Sequence, residues 1–152
     1  MLTFDRRDGH FHVRAVAICV RNQDVLIHQA VGDTVWSLPG GRVEMGEASA
    51  TTLIREMAEE LRTRVHCLSL RAIIEVIDQR AQGGFFHEVG FYYQVDLPDV
   101  GWSQTPFRGP EVTNPVDFWW CPIPRIDEIV VLPPVVRQVL TGHGIQHLVY
   151  QP

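Results

Sequence analysis

Between Pro39 and Arg62 the chain reads P-G-G-R-V-E-M-G-E-A-S-A-T-T-L-I-R-E-M-A-E-E-L-R, and this segment constrains the fold more than any other. Glu47–Leu61 is expected to be a helix, because Ala50, Leu53, Ile54, Met57 and Leu61 recur at helical spacing and form one apolar stripe. At about 100° per residue, Glu56, Glu59 and Glu60 fall on a neighbouring arc at the rim of that stripe, not at the opposite solvated pole. Their i,i+3 and i,i+4 pairs are like-charged, each costing roughly 0.2–0.5 kcal/mol. Arg55 and Arg62 relieve only part of this. A self-repelling cluster makes sense where a divalent cation sits among the carboxylates, and Mg²⁺ and Mn²⁺ favour such hard oxygen ligands. A plain solvated acidic face is the competing reading. Gly40-Gly41 just ahead of the helix favours the cation, because two glycines let backbone approach a ligand closely.

The spacing itself carries a resemblance. Gly41, five residues, Glu47, seven residues, then Arg55-Glu56-Met57-Ala58-Glu59-Glu60 resembles the Nudix hydrolase signature, G-x5-E-x7-R-E-U-x-E-E-x-G-U with U a bulky aliphatic. Arg62 stands where the final Gly is expected and Thr63 where the last aliphatic is expected, so a different helix exit is anticipated. The resemblance spans roughly residues 10–141. It implies an α/β/α sandwich around a mixed sheet, with the signature as loop–helix–loop. It also implies hydrolysis of a nucleoside diphosphate linked to another moiety, with Mg²⁺ or Mn²⁺ as cofactor. By position, Glu56, Glu59 and Glu60 become metal ligands, with the Gly41 carbonyl as a further one, and Arg55 and Glu47 a bracing pair. Glu60 is the first candidate to orient or deprotonate the attacking water; Glu111 and Glu88 are the alternatives. Neither common substrate marker is present at Asp78-Gln79-Arg80, so the substrate stays open among nucleotide sugars, ADP-ribose and (d)NTPs. A nucleotide-sensing domain without turnover is the second functional reading.

Composition narrows the rest. All 13 basic residues are Arg, which excludes a P-loop lysine and Schiff-base chemistry. The net charge of −5 argues against nucleic acid and anionic membranes as partners, while admitting a small nucleotide-type substrate. A homodimer is left open. Cys19, Cys67 and Cys121 are odd in number and far apart, so they are read as buried apolar side chains in a reducing compartment. The first twelve residues lack a secretory apolar run, and the stretches Ala15–Val20 and Ile129–Val136 are far short of the ~18 residues of a span. A cytoplasmic location and one domain over residues 1–152 are expected.

His12–Val20 and Asp24–Val31 are expected to pair as a hairpin, with Trp36–Gly41 a break in regular structure. Leu68–Asp78 and Phe85–Leu97 read as strands, Pro98–Pro115 as a long loop, Phe118–Cys121 as a short strand and Pro134–Leu140 as a short helix. Phe85, Phe86, Tyr92, Trp119 and Trp120 are read mainly as core, and His10 and His12 as a polar N-terminal segment.

Overall fold

The computed structural model describes residues 1–152, the side chain of Cys67 excepted, so the reading of that thiol lies outside the described residues. The strands are β1 (Thr3–Arg6), β2 (Gly9–Ile18), β3 (Val20–Arg21), β4 (Asp24–Ala30), β5 (Trp36–Ser37) and β6 (Gly40–Arg42). Helix α1 (Ser49–Leu61) separates these from β7 (His66–Gln79), β8 (Phe85–Asp96), β9 (Phe107–Arg108) and β10 (Val116–Pro122). A 3-10 turn at Ile123–Glu128, β11 (Val131–Leu132), α2 (Val136–Thr141) and β12 (Gln146–Tyr150) complete the chain.

Two sheets result. The first runs β1-β2-β8-β7-β12, with β6 also paired to β2; the second runs β11-β5-β4-β10-β9, with β3 paired to β4. Both are mixed, since β2–β8, β7–β12 and β5–β11 are parallel while the other pairs are antiparallel. Strand alternation explains the layering. On β2, Val16 and Ile18 enter one apolar cluster while Ala15 and Ala17 enter the other; on β4, Val25 and Ile27 oppose Leu26 in the same way. Helix α1 seats Leu53 and Met57 in the cluster with Ala15, Leu26, Phe118 and Trp120. Helix α2 seats Val136 and Val139 in the cluster with Val16, Ile27 and Ile74. The helices therefore lie on opposite sides of β2 and β4, as an α/β/α sandwich requires.

Several expectations need correcting. His12–Val20 and Asp24–Val31 do not form one hairpin: β2 joins the first sheet, and only the two residues of β3 turn back onto β4. That turn is made by Asn22 and Gln23, both at positive φ (50° and 69°), the geometry of a tight two-residue hairpin. Trp36–Gly41 is not a mere break, since it holds β5 and β6 around Leu38-Pro39. Gly40 is required there by proximity, because a Cβ would meet the Ala15 carbonyl oxygen at 2.1 Å. Ile54 is not part of the buried stripe but 49% exposed, and Thr52 is buried in its stead. The Pro98–Pro115 loop contains β9, paired to β10. No helix is long and apolar enough to cross a membrane.

Candidate active site

The turn into α1 is held by one carboxylate. Glu47 precedes the helix instead of opening it, and accepts hydrogen bonds from Thr52 Oγ1 at 2.6 Å, Arg55 Nε at 3.1 Å and Arg55 Nη2 at 3.1 Å. Arg55 foremost, with Thr52, holds the Glu47 carboxyl down at about 2. The buried Thr52 is thus satisfied by Glu47, while Ala48 at the helix cap offers no side-chain bond. Arg55 continues across the helix, donating through Nη1 to Glu56 at 2.7 Å and to Glu59 at 3.4 Å. It also donates to the Arg42 carbonyl at 3.3 Å, which ties β6 to α1. The structure thus brings Glu47 and Arg55 together at the helix entry.

At the other end Arg62 overturns the expectation of a different exit. Arg62 itself adopts the left-handed conformation (φ 51°, ψ 36°), its N–H donating to the Ala58 carbonyl. The Thr63 N–H closes the turn on the Met57 carbonyl at 3.3 Å, the bond pattern a glycine makes at this position.

Between α1, β2, β6 and β8 lies a cavity of 510 Å³ lined by Arg14, Gly41, Glu56, Glu60, Phe86 and Glu88, among others. Gly41 packs against the Glu56 carboxylate so closely that a Cβ would fall 1.9 Å from its Cδ. Burial raises the Glu56 carboxyl, Arg55 opposes this, and the charges of Glu60 and Glu59 add to it; the net direction is up. Glu60 is half-buried, and its Oε2 is buried without a hydrogen-bond partner. The nearest group is His28 Nδ1 at 3.5 Å, also unpartnered. Burial lowers the His28 pKa despite Glu60, which keeps the ring neutral. On its far side His28 Nε2 lies 3.4 Å from Arg14 Nη2, and Arg14 also donates to the Gly40 carbonyl at 3.3 Å.

These features fit a divalent cation. The donor set is hard oxygen, Gly41 leaves room beside Glu56, and Glu60 carries an orphaned buried oxygen that a cation would satisfy. Without an ion, no three such ligands among the described residues converge on one point, since Arg55 spans Glu56 and Glu59. Glu59 is more than half exposed and paired with Arg55.

Of the two alternative bases, Glu88 lines this cavity, buried and bonded to His12. Glu111 does not line it, and no hydrogen bond or ion pair among the described residues joins it to the cluster. Two residues before it, Gly109 packs on the Glu60 carbonyl. A second cavity, of 620 Å³, shares Arg14, Phe86 and Glu88 with the first and extends to Val35, Leu132 and Tyr150. Of the aromatics read as core, Tyr92 and Trp120 are buried, Phe85 is half exposed and Phe86 borders both cavities. Sequence reasoning missed Arg14 and His28 and read His12, which is buried, only as part of a polar N-terminal segment. Only their places in strongly apolar strands, where a polar residue needs a partner, could have flagged them.

A family model described as the NUDIX domain matches residues 11–139. A curated Caenorhabditis elegans protein named as a nudix hydrolase is 31% identical over 93 residues, covering 57% of this chain and 24% of the relative. The chain thus spans about a quarter of that relative's length. The crystal structure of a MutT protein from Bacillus halodurans superposes with a TM-score of 0.65 at 19% identity, covering 93% of this chain and 91% of that one. An ADP-ribose pyrophosphatase from Streptococcus suis superposes with a TM-score of 0.59 at 14% identity, covering 91% and 98% respectively. At such identities the two structures show a shared fold.

Proposed function

The chain belongs to the NUDIX family, and on that premise we propose that it is a metal-dependent pyrophosphohydrolase acting on a nucleoside diphosphate linked to another moiety. The observation that carries this reading is the cavity where Gly41, Glu56 and the orphaned oxygen of Glu60 meet. Glu56, Glu59, Glu60 and the Gly41 carbonyl would hold Mg²⁺ or Mn²⁺. Such an ion, when bound, neutralises diphosphate charge and acidifies the attacking water. Arg14 and Arg42 line the same cavity and supply positive charge for the phosphate oxygens. Glu60, backed by neutral His28, orients the water. Glu47 and Arg55 hold the helix entry against the Gly41 strand so that these groups keep their spacing.

A substrate panel tests this directly: nucleotide sugars, ADP-ribose, (d)NTPs and dinucleoside polyphosphates, each with Mg²⁺ and Mn²⁺. Metal-dependent release of a nucleoside monophosphate from at least one compound is the expected result. If nothing is hydrolysed while one compound raises the melting temperature, the site binds nucleotide without turning it over.

A further inference from the structure

Arg14, Phe86 and Glu88 line both cavities, so a ligand that fills the two must pass them. Glu88 is the inner end of a row of hydrogen bonds that starts at the surface. Asp5 Oδ1 lies 2.7 Å from His10 Nδ1, His10 Nε2 lies 3.1 Å from His12 Nδ1, and His12 Nε2 lies 2.5 Å from Glu88 Oε2. Strand register builds the row: Asp5 on β1 faces His10 on β2, and His12 on β2 faces Glu88 on β8. Phe86 stacks on His10 with ring centres 6.0 Å apart and meets His12 edge-on at 5.2 Å.

Burial alone would push the Glu88 carboxyl up. His12, with the positive charges of Arg14 and Arg42, outweighs burial, and the net direction is down. Val76 across on β7 and the Tyr92 ring carry no charge, while the carboxylates of Glu44, Glu56 and Glu60 line the first cavity with Glu88 and that of Asp78 lines the second. No other hydrogen bond of the Glu88 carboxylate forms within the described residues, so one oxygen is left for the cavities it lines.

We propose that Glu88 is a specificity residue: it accepts a hydrogen bond from hydroxyls on the moiety beyond the diphosphate and repels a terminal phosphate at the same place. This rests on the hydrolase reading, which puts the diphosphate beside Arg14 and Arg42. A site built to hydrogen-bond a hydroxyl rejects an analogue lacking it far more strongly than an apolar pocket does, and like charge at short range adds to that. The favoured substrate class is a nucleoside diphosphate joined to a sugar, over a nucleoside triphosphate.

ADP-ribose and ATP are the probes, since they share nucleoside and diphosphate and differ only in the group joined to the second phosphate. The wild-type chain is expected to favour ADP-ribose in kcat/KM by about tenfold or more. Glu88→Gln should compress that preference about tenfold, through KM, with Mn²⁺ affinity within about twofold of wild type. An unchanged preference in the variant overturns the proposal, as does a preference of the wild type for ATP. A loss of metal affinity also overturns it, by making Glu88 a ligand. Wild-type kcat/KM for ADP-ribose against an ADP-ribose analogue lacking the hydroxyls of the terminal ribose is the second measurement, and needs no variant to fold. The analogue should lose about tenfold or more; an unchanged kcat/KM overturns the proposal. If neither compound is turned over, calorimetric affinities of the same two compounds for wild type and Glu88→Gln decide the role of Glu88, while the wider substrate panel decides the hydrolase reading separately.

Discussion

Arg62 occupies a backbone conformation that costs an L-residue roughly 1–2 kcal/mol. Glycine would remove that strain while adding about 0.5–1 kcal/mol of unfolded-state entropy to be lost. Arg62→Gly should therefore raise stability by up to about 1 kcal/mol, seen as a melting temperature higher by roughly 2–4 °C. A lower melting temperature would show that the exposed Arg62 side chain holds something of its own. Glu56→Gln, Glu59→Gln and Glu60→Gln keep side-chain size and remove one charge each from the cluster. Each should weaken Mn²⁺ affinity and lower kcat by roughly 10²-fold, read by calorimetry and steady-state kinetics. Glu111→Gln is the contrast. Since no hydrogen bond or ion pair among the described residues joins Glu111 to the cluster, the ratio of the variant's kcat to that of wild type should stay near one across pH. A deficit that shrinks at high pH, where hydroxide can replace a base, would restore Glu111 to the mechanism.

Helix α1 depends on its entry carboxylate. Glu47 titrates at about 2 in the folded chain against an ordinary 4.5, so folding favours its ionised form. The stability this gives is complete above pH 4.5 and is lost as pH falls from there towards 2. Glu47→Gln should lower the melting temperature at neutral pH, and the gap to wild type should narrow across that acidic window in a pH series. A constant gap would mean that Glu47 acts by shape alone. At this scale the sequence was a good guide wherever the signal is local. The α1 periodicity, the aromatic-rich run of β8 and the Gly83-Gly84 turn before it each lie within one window of residues. Thr52 escaped because a buried hydroxyl looks polar until Glu47 is seen to satisfy it. Strands β5, β11 and β12 escaped because each is short and owes its existence to a distant partner, such as Trp36 for Val131 on β11 and Ile73 for His147 on β12. The site divides in the same way. Glu47, Arg55, Glu56, Glu59 and Glu60 follow from spacing, whereas Arg14, His28 and Glu88 reach the cavity only through sheet pairing.

Across the whole molecule, filling the carboxylate cavity should stabilise the native state by mass action. At a Mn²⁺ concentration 100 times its Kd, the gain is about 2.7 kcal/mol, or a rise of roughly 5–10 °C in a thermal scan. No shift at millimolar Mg²⁺ or Mn²⁺ would remove the proposed cation site. The β2–β8 pairing sets the order in which that site appears. His12 and Glu88 are 76 residues apart, so the cavity has no second wall until a long loop has closed. The glutamates of α1 can gather early on their own helix, and the groove that opposes them is expected to be completed only after the rate-limiting step. Stopped-flow experiments with and without Mn²⁺ should then show one refolding limb common to both conditions. The unfolding limb alone should drop with metal, because the ion grips a structure that the transition state has not yet built.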